Sequence, residues 1–141
     1  MLNKILVAFD GSQQSYKAFD FALDMSKLCP GACPEIMVLA VAQPPEPADI
    51  VEVDAIIDSA TQHYEELFKG LKEKAKERNI EVKTEVAVGH PADQIIRFAT
   101  ERESDMVVVG QRGKSKIANW LLGSVSKRVA TYAPCTVTIV K

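Results

Sequence analysis

Glycine and serine residues in the last third of the chain have the types and spacing of a phosphate-binding loop. Gly110 follows the apolar run 106–109, Gly113 comes soon after it, and the pair Gly123-Ser124 stands further along. Glycine after a buried strand lets the backbone turn sharply and come close to a bulky group. A Gly-Ser pair that opens a helix offers free N–H groups and the positive end of the helix dipole. These residues therefore predict a loop that binds phosphate.

Two familiar nucleotide motifs are matched only in part. A P-loop, G-x-x-x-x-G-K-[ST], would end in Gly113-Lys114-Ser115, but position 108, where its first glycine is required, is Val. A G-x-G-x-x-G fingerprint would follow the first strand, where only Asp10-Gly11-Ser12 is found. Arg112 and Lys116 add positive charge near the glycines. The alternative, in which the glycines only turn the chain and the basic side chains are solvated, remains open.

The elements that must position this loop alternate strictly along the chain. Apolar or alternating runs predict five strands, and helical patterns between them predict four helices. In chain order the segments are 4–9, about 13–28, 35–41, 51–79, 81–88, a helix opening at 91, 106–109, 124–133 and 136–140. On the first helix the spacing predicts a buried side of Ala18, Phe21, Ala22, Met25 and Leu28.

This order predicts one α/β domain over residues 1–141, with a parallel sheet and helices on both faces. Right-handed crossovers leave few topologies, and we expect the strand order 3-2-1-4-5, because the alternating run 81–88 is typical of an edge strand. Strands 1 and 4 are then neighbours at the switch point, where ligands bind beyond the strand carboxyl ends. The loops Asp10–Ser12 and Gly110–Gly113 should meet at this crevice.

The spacing G-2x-G-9x-G-[ST], the Asp10-Gly11-Ser12 turn and the Ala133-Pro-Cys-Thr-Val tail resemble the universal stress protein family. The resemblance covers essentially the whole chain, and within the family this glycine pattern marks the ATP-binding branch. It implies a three-layer, nucleotide alpha-hydrolase-like fold that binds ATP, with or without Mg²⁺. Most members have His where this chain has Ala40.

The resemblance also implies roles for three groups of residues: beside the adenosine, around the ribose and phosphates, and at the phosphate oxygens. The groups are, in that order, Asp10 with the backbone of Ala8, Phe9 and Val41; Val109, Gly110, Arg112 and Gly113; and Gly123, Ser124, Val125 and Ser126.

The sequence contains no convincing catalytic set and no complete metal site, since nothing supplies four ligands around the Cys29–Cys33 loop. We expect reduced, structural thiols. The expected function is that of an ATP-binding sensor or regulatory module in the stress response. Two alternatives stay open: a weak ATPase or nucleotidyl-transfer enzyme using Asp10 and the basic cluster, and a ligand-free structural dimer.

Bulk properties bear on partners and location. The net charge of −2 argues against a dedicated nucleic-acid binder. No apolar run approaches the roughly 20 residues of a membrane span, and no secretory signal precedes the first strand, which predicts a cytoplasmic protein. The C-terminal strand 136–140 is β-branched and expected at the sheet edge, and similar proteins pair there, so we expect a homodimer across Val137 and Ile139.

Overall fold

Strands and helices alternate along the chain as the sequence predicts. The computed structural model describes residues 2–44, 50–111 and 122–141, and for residues 50 and 51 the backbone alone. In chain order the elements are β1 Lys4–Ala8, α1 Gln13–Leu28, β2 Glu35–Ala42, α2 Ile50–Glu77, β3 Val82–Val88, α3 Pro91–Glu101, β4 Met106–Gly110, α4 Ser124–Tyr132 and β5 Thr136–Val140. Their ends differ from the predicted ones by only one or two residues.

The five strands form one parallel sheet in the order β3-β2-β1-β4-β5, which confirms the predicted topology. In the centre of the sheet, Leu6 of β1 lies between Met37 of β2 and Val107 of β4. The central strands read as continuous apolar runs because helices cover both of their faces. The predicted edge position of the third strand is also confirmed.

Two hydrophobic cores lie on opposite faces of the sheet. On one face, Phe19 of α1 and Phe68 of α2 pack against Val7 and Val38. On the other face, residues of α3 and α4, among them Ile95 and Val129, pack against β1, β2, β4 and β5. The protein is thus a three-layer α/β domain.

The buried side of α1 differs from the predicted one. Phe19 and Leu23 are fully buried, whereas Phe21 and Met25 are only half-buried and Leu28 is 76% exposed. The prediction was wrong for Leu28 and missed Phe19, because α1 contacts β1, β4 and β5 together and the buried arc is set by these contacts.

Asp105 joins the amino ends of β1 and β4. Its Oδ2 accepts hydrogen bonds from the backbone N–H groups of Asn3 and Lys4, each at 2.8 Å. The N–H of Asp105 in turn donates to the carbonyl of Lys4 at 2.9 Å. The two bonds from Asn3 and Lys4 favour the charged carboxylate and so lower the pKa of Asp105. This clamp sets the register of the two strands at the end of the sheet opposite the crevice.

Within the described ranges, none of the helices has the length and hydropathy needed to cross a bilayer. The cytoplasmic location remains a prediction. Cys29, Cys33 and Cys135 are free thiols, and burial raises the pKa of Cys135. In the same ranges no three His, Cys, Asp or Glu side chains gather in a metal-binding arrangement.

Candidate functional site

The carboxyl ends of β1 and β4 lie side by side, and the turn after β1 comes directly against the end of β4. Val7 pairs with Val108 in a parallel register, so both strands end at the same end of the sheet, the carboxyl end. Gly110 then faces the first turn of α1: a Cβ atom at Gly110 would lie 2.6 Å from Cβ of Gln14. The structure therefore brings the turn after β1 together with Gly110, the start of the second predicted loop.

The turn after β1 is held by two side chains. Oδ1 of Asp10 accepts a hydrogen bond from the N–H of Ser12 at 2.9 Å, and Gly11 between them adopts a φ of +83°. Such a φ favours glycine, because a Cβ atom would be strained there. Ser12 is the N-cap of α1, and its hydroxyl accepts from the N–H of Ser15 at 3.2 Å. Asp10 therefore shapes the turn and is held at the crevice, while Ser12 caps the helix.

Ala8 and Phe9 lead from β1 into this turn. Phe9 is 3% exposed, and its ring packs edge-on against Tyr16 with 5.1 Å between ring centroids. The N–H of Phe9 donates to the carbonyl of Leu39 at 2.9 Å, which extends the β1–β2 ladder by one bond. Ala8, the last residue of β1, is half-buried.

The backbone of Val41 points towards the crevice. Successive residues of a strand direct their N–H and C=O groups to opposite neighbours. The carbonyl of Leu39 accepts from β1 at Phe9, and the carbonyl of Ala42 accepts from Gly89 after β3. Val41 therefore directs its N–H and C=O to the β1 side, where β1 has already ended at Ala8. No described residue forms a backbone hydrogen bond with either group on this side.

The first turn of α4 is joined to the end of β4. Gly123 is the N-cap of α4, and its N–H donates to the carbonyl of Gln111 at 2.7 Å. The hydroxyl of Ser126 donates to the carbonyl of Gly110. The N–H groups of Ser124 and Val125 belong to the first turn of the helix, where no helical carbonyl can accept them. They have no acceptor within the helix, and they stand beside the end of β4 at the positive end of the α4 dipole.

The whole chain matches one protein family. The family model of the universal stress protein family covers residues 1–141. The chain belongs to this family. A universal stress protein of Bacillus subtilis, YxiE, is 35% identical over 151 aligned positions that span all of both chains. A universal stress protein of Methanocaldococcus jannaschii is 31% identical over 145 positions, spanning all of this chain and 83% of the relative.

Solved universal stress proteins share the fold. The protein UspA from Lactobacillus plantarum superimposes with a TM-score of 0.90 at 22% identity, covering 99% of this chain and 97% of that one. A universal stress protein in complex with cAMP gives a TM-score of 0.67 at 24% identity, with 99% and 97% of the two chains covered. An Arabidopsis thaliana family member with AMP bound gives 0.69 at 24% identity, covering 99% and 91%.

The residues that the universal stress protein resemblance singles out differ in how they are placed. Asp10, Gly110, Ser124 and Ser126 lie around the crevice, and Val41 lies on the adjacent strand. Val109, by contrast, is 2% exposed and packs in the core on the α3 and α4 face. Arg112 and Gly113 lie outside the described residues.

The structure adds two residues that the sequence reasoning missed. Gln14 packs against Gly110, and the carbonyl of Gln111 accepts from the N-cap of α4. Gln14 follows the Ser12 cap, which was recognisable, but no local pattern shows that the first turn of α1 meets a glycine from the other half of the chain. Gln111 directly follows Gly110 and acts through its backbone carbonyl, a role that the type of its side chain does not reveal.

Proposed function

We propose that this universal stress protein binds ATP at the crevice and acts as a nucleotide-dependent sensor or regulatory module. The observation that carries the proposal is that three features lie together at the carboxyl end of the parallel sheet. These are the backbone groups of Val41, which no described residue pairs, the carboxylate of Asp10, and the N–H groups at the start of α4, which have no acceptor within the helix. The AMP and cAMP complexes of similarly folded proteins support an adenine nucleotide as the ligand class.

Val41 suits the adenine ring. Its N–H and C=O lie on the same side of β2 and offer one donor and one acceptor. The edge of adenine offers the complementary pair, an amino donor next to a ring nitrogen acceptor. The last hydrogen bond between β1 and β2 runs from the N–H of Phe9 to the carbonyl of Leu39. Along β2, the N–H and C=O of Val41 are the next groups that face the β1 side. A guanine edge bound in the same orientation would set its carbonyl oxygen against the Val41 carbonyl and its ring N–H against the Val41 N–H.

The start of α4 suits the phosphates. The N–H groups of Ser124 and Val125 can donate to anionic oxygens without reorganisation, and the helix dipole favours negative charge there. Asp10 suits the ribose instead, because a carboxylate accepts hydrogen bonds from hydroxyl groups and repels phosphate. The ligand would therefore extend from β2, past the end of β1, to α4.

We propose binding rather than turnover as the function. Asp10 already accepts a hydrogen bond from Ser12, and this bond holds it as part of the turn. A weak ATPase would need this same group to act as a base or metal ligand. In single-turnover assays we expect no ADP or AMP above the level of a blank without protein. Product formation that is lost in Asp10→Asn would favour the enzyme alternative.

The test of binding is calorimetric titration with ATP, ADP, AMP and GTP. We expect saturable binding of adenine nucleotides and much weaker binding of GTP. Asp10→Asn keeps the Oδ1 acceptor for the Ser12 N–H but removes the charge, so it should weaken ATP binding with little change in stability. Asp24→Asn, on the exposed part of α1 where Asp24 pairs with Arg78, is the matched control. Absence of binding at millimolar nucleotide would contradict the proposal.

We also propose a homodimer formed through β5, because the two sheet edges differ in charge. On the β3 edge, Lys83 pairs with Glu35 at 3.2 Å and Glu85 pairs with Arg102 at 2.7 Å. Charged side chains on an edge strand discourage pairing with another chain. The β5 strand Thr136–Val140 carries no charged residue.

The register of β5 supplies the variant that tests the dimer. The carbonyl of Val140 accepts from Gln111 on the β4 side, so alternation directs the backbone groups of Val137 and Ile139 to the free edge. Val137→Pro removes an outward N–H and leaves the β4–β5 bonds in place. By light scattering we expect a dimer for the wild type and a folded monomer for this variant. A wild-type monomer at micromolar concentration would contradict the proposal.

A further inference from the structure

The hydroxyl of Ser126 is already used inside the protein. Ser126 is 5% exposed, and its Oγ donates a hydrogen bond to the carbonyl of Gly110. A serine hydroxyl has one proton to donate. That proton is taken by a backbone carbonyl at the end of β4, so the side chain is occupied before any ligand arrives.

This bond is one of two that join the first turn of α4 to consecutive carbonyls of β4 and its extension. Ser126 donates to Gly110, and the N-cap Gly123 donates to Gln111 at 2.7 Å. Gln111 is itself anchored, since its N–H donates to the carbonyl of Val140 at 2.8 Å. The start of α4 is therefore attached at both ends of its first turn.

Two attachment points at the first turn of α4 restrict its direction more closely than one. The body of the helix is held separately, by Val129 in the core and by the ion pair of Arg128 with Asp93. The Gly123 and Ser126 bonds therefore act on the first turn itself. With Ser126 also bound, the N–H groups of Ser124 and Val125, which lie between the two points, have a set direction. Anion binding by backbone N–H groups depends on this direction, because hydrogen bonds weaken steeply away from a linear arrangement.

We propose that Ser126 is a positioning residue for phosphate binding, which holds the first turn of α4 against Gly110 and does not itself contact the phosphate. This proposal rests on the proposed nucleotide site and departs from the role that the family resemblance implies for Ser126. The buried hydroxyl aligns the donors of two neighbouring residues.

The test compares ATP with adenosine, which lacks phosphate, in Ser126→Ala and Ser126→Thr. In Ser126→Ala we expect about a tenfold loss of affinity for ATP, the scale of one buried hydrogen bond, and adenosine affinity within about twofold of wild type. Ser126→Thr keeps a hydroxyl donor and should bind ATP nearly as well as wild type. Circular dichroism and thermal melting establish that each variant is folded.

Amide hydrogen exchange of the ligand-free protein separates positioning from direct contact. The Gly110 bond exists without ligand, so Ser126→Ala should speed exchange at the Gly123 N–H in the nucleotide-free protein. Unchanged exchange there, an unchanged ATP affinity, an equal loss for adenosine and ATP, or a threonine variant as weak as alanine would each overturn the proposal. If wild-type protein binds no ATP at all, it is the proposed function that fails, and the exchange measurement still tests the Ser126 bond.

Discussion

Replacing Gly110 with alanine should destabilise the protein in the absence of any ligand. The new Cβ would lie 2.6 Å from Cβ of Gln14, 3.0 Å from its carbonyl carbon and 3.1 Å from its carbonyl oxygen. Ordinary carbon–carbon contacts are about 3.5–4.0 Å, so α1 and β4 would have to separate by about 1 Å. Two of the three contacts are to backbone atoms, which a change of side-chain rotamer cannot relieve.

The loss of stability follows from the core residues that α1 contributes. Moving its first turn disturbs the packing of the buried Phe19 and Leu23 against the sheet. Overpacking of this kind costs about 1–3 kcal/mol. For a domain of this size we take a Tm change of about 3–5 °C for each kcal/mol. A loss near 2 kcal/mol therefore corresponds to a Tm lower by about 6–10 °C, measured by thermal or urea unfolding.

Gly70 provides the matched control on the same chain. It lies inside α2, is exposed, and has no atom within 4 Å of an added Cβ. Inside a helix, alanine gives a free energy of unfolding about 0.5–1 kcal/mol higher than glycine does. Gly70→Ala should therefore raise the Tm by a few degrees. The two identical substitutions should thus have opposite signs. If Gly110→Ala were as stable as wild type, close packing against α1 would not explain the glycine at this position. The close approach of a ligand would then be the remaining explanation.

Three further predictions concern local features. Ser12→Ala removes the N-cap of α1 and should cost about 1 kcal/mol in urea unfolding, whereas Ser12→Asp, which can also cap, should cost less. His90 is the N-cap of α3 without a side-chain bond, so His90→Ser should stabilise the protein by about 0.5 kcal/mol, and a loss would contradict this. Asp105→Asn should lower the Tm at pH 7. Folding lowers the pKa of Asp105 from 3.8, so the charged carboxylate stabilises the protein above that pH, and this stabilisation is lost on acidification. The difference in Tm between wild type and Asp105→Asn should therefore narrow below about pH 4. A difference that stays constant with pH would contradict the role of the charge.

The topology of this protein is readable from sequence because its signals are local. Continuous apolar runs mark the central strands, alternation marks β3 at the edge, and Gly89-His90-Pro91 marks a helix start. The misses are all contacts between distant segments. Phe19 and Phe21 are equally apolar, and only the elements packed over α1 decide which of them is buried.

The candidate site shows the same division. That the loop after β1 lies beside the loop after β4 follows from the strand order, which can be predicted from the sequence. The hydrogen bond from Ser126 to Gly110 does not, since serine after a helix N-cap is compatible with a ligand contact, a solvated hydroxyl or an internal bond. Nor does the pairing of Gly110 with Gln14, because a glycine signals a close approach without naming what approaches.

The hydrogen bonds of Gln111 would link the proposed nucleotide site to the proposed dimer edge through β5. The inner side of β5 holds Gln111 through the carbonyl of Val140, and Gln111 holds the N-cap of α4. The outer side of β5 carries the backbone groups of Val137 and Ile139 that we expect to pair with a second chain. Whatever shifts β5 therefore shifts the donors at the start of α4 through two hydrogen bonds. If nucleotide and a second chain both favour one position of β5, each must strengthen the binding of the other by the same factor, and this coupling is what the proposed sensor function requires.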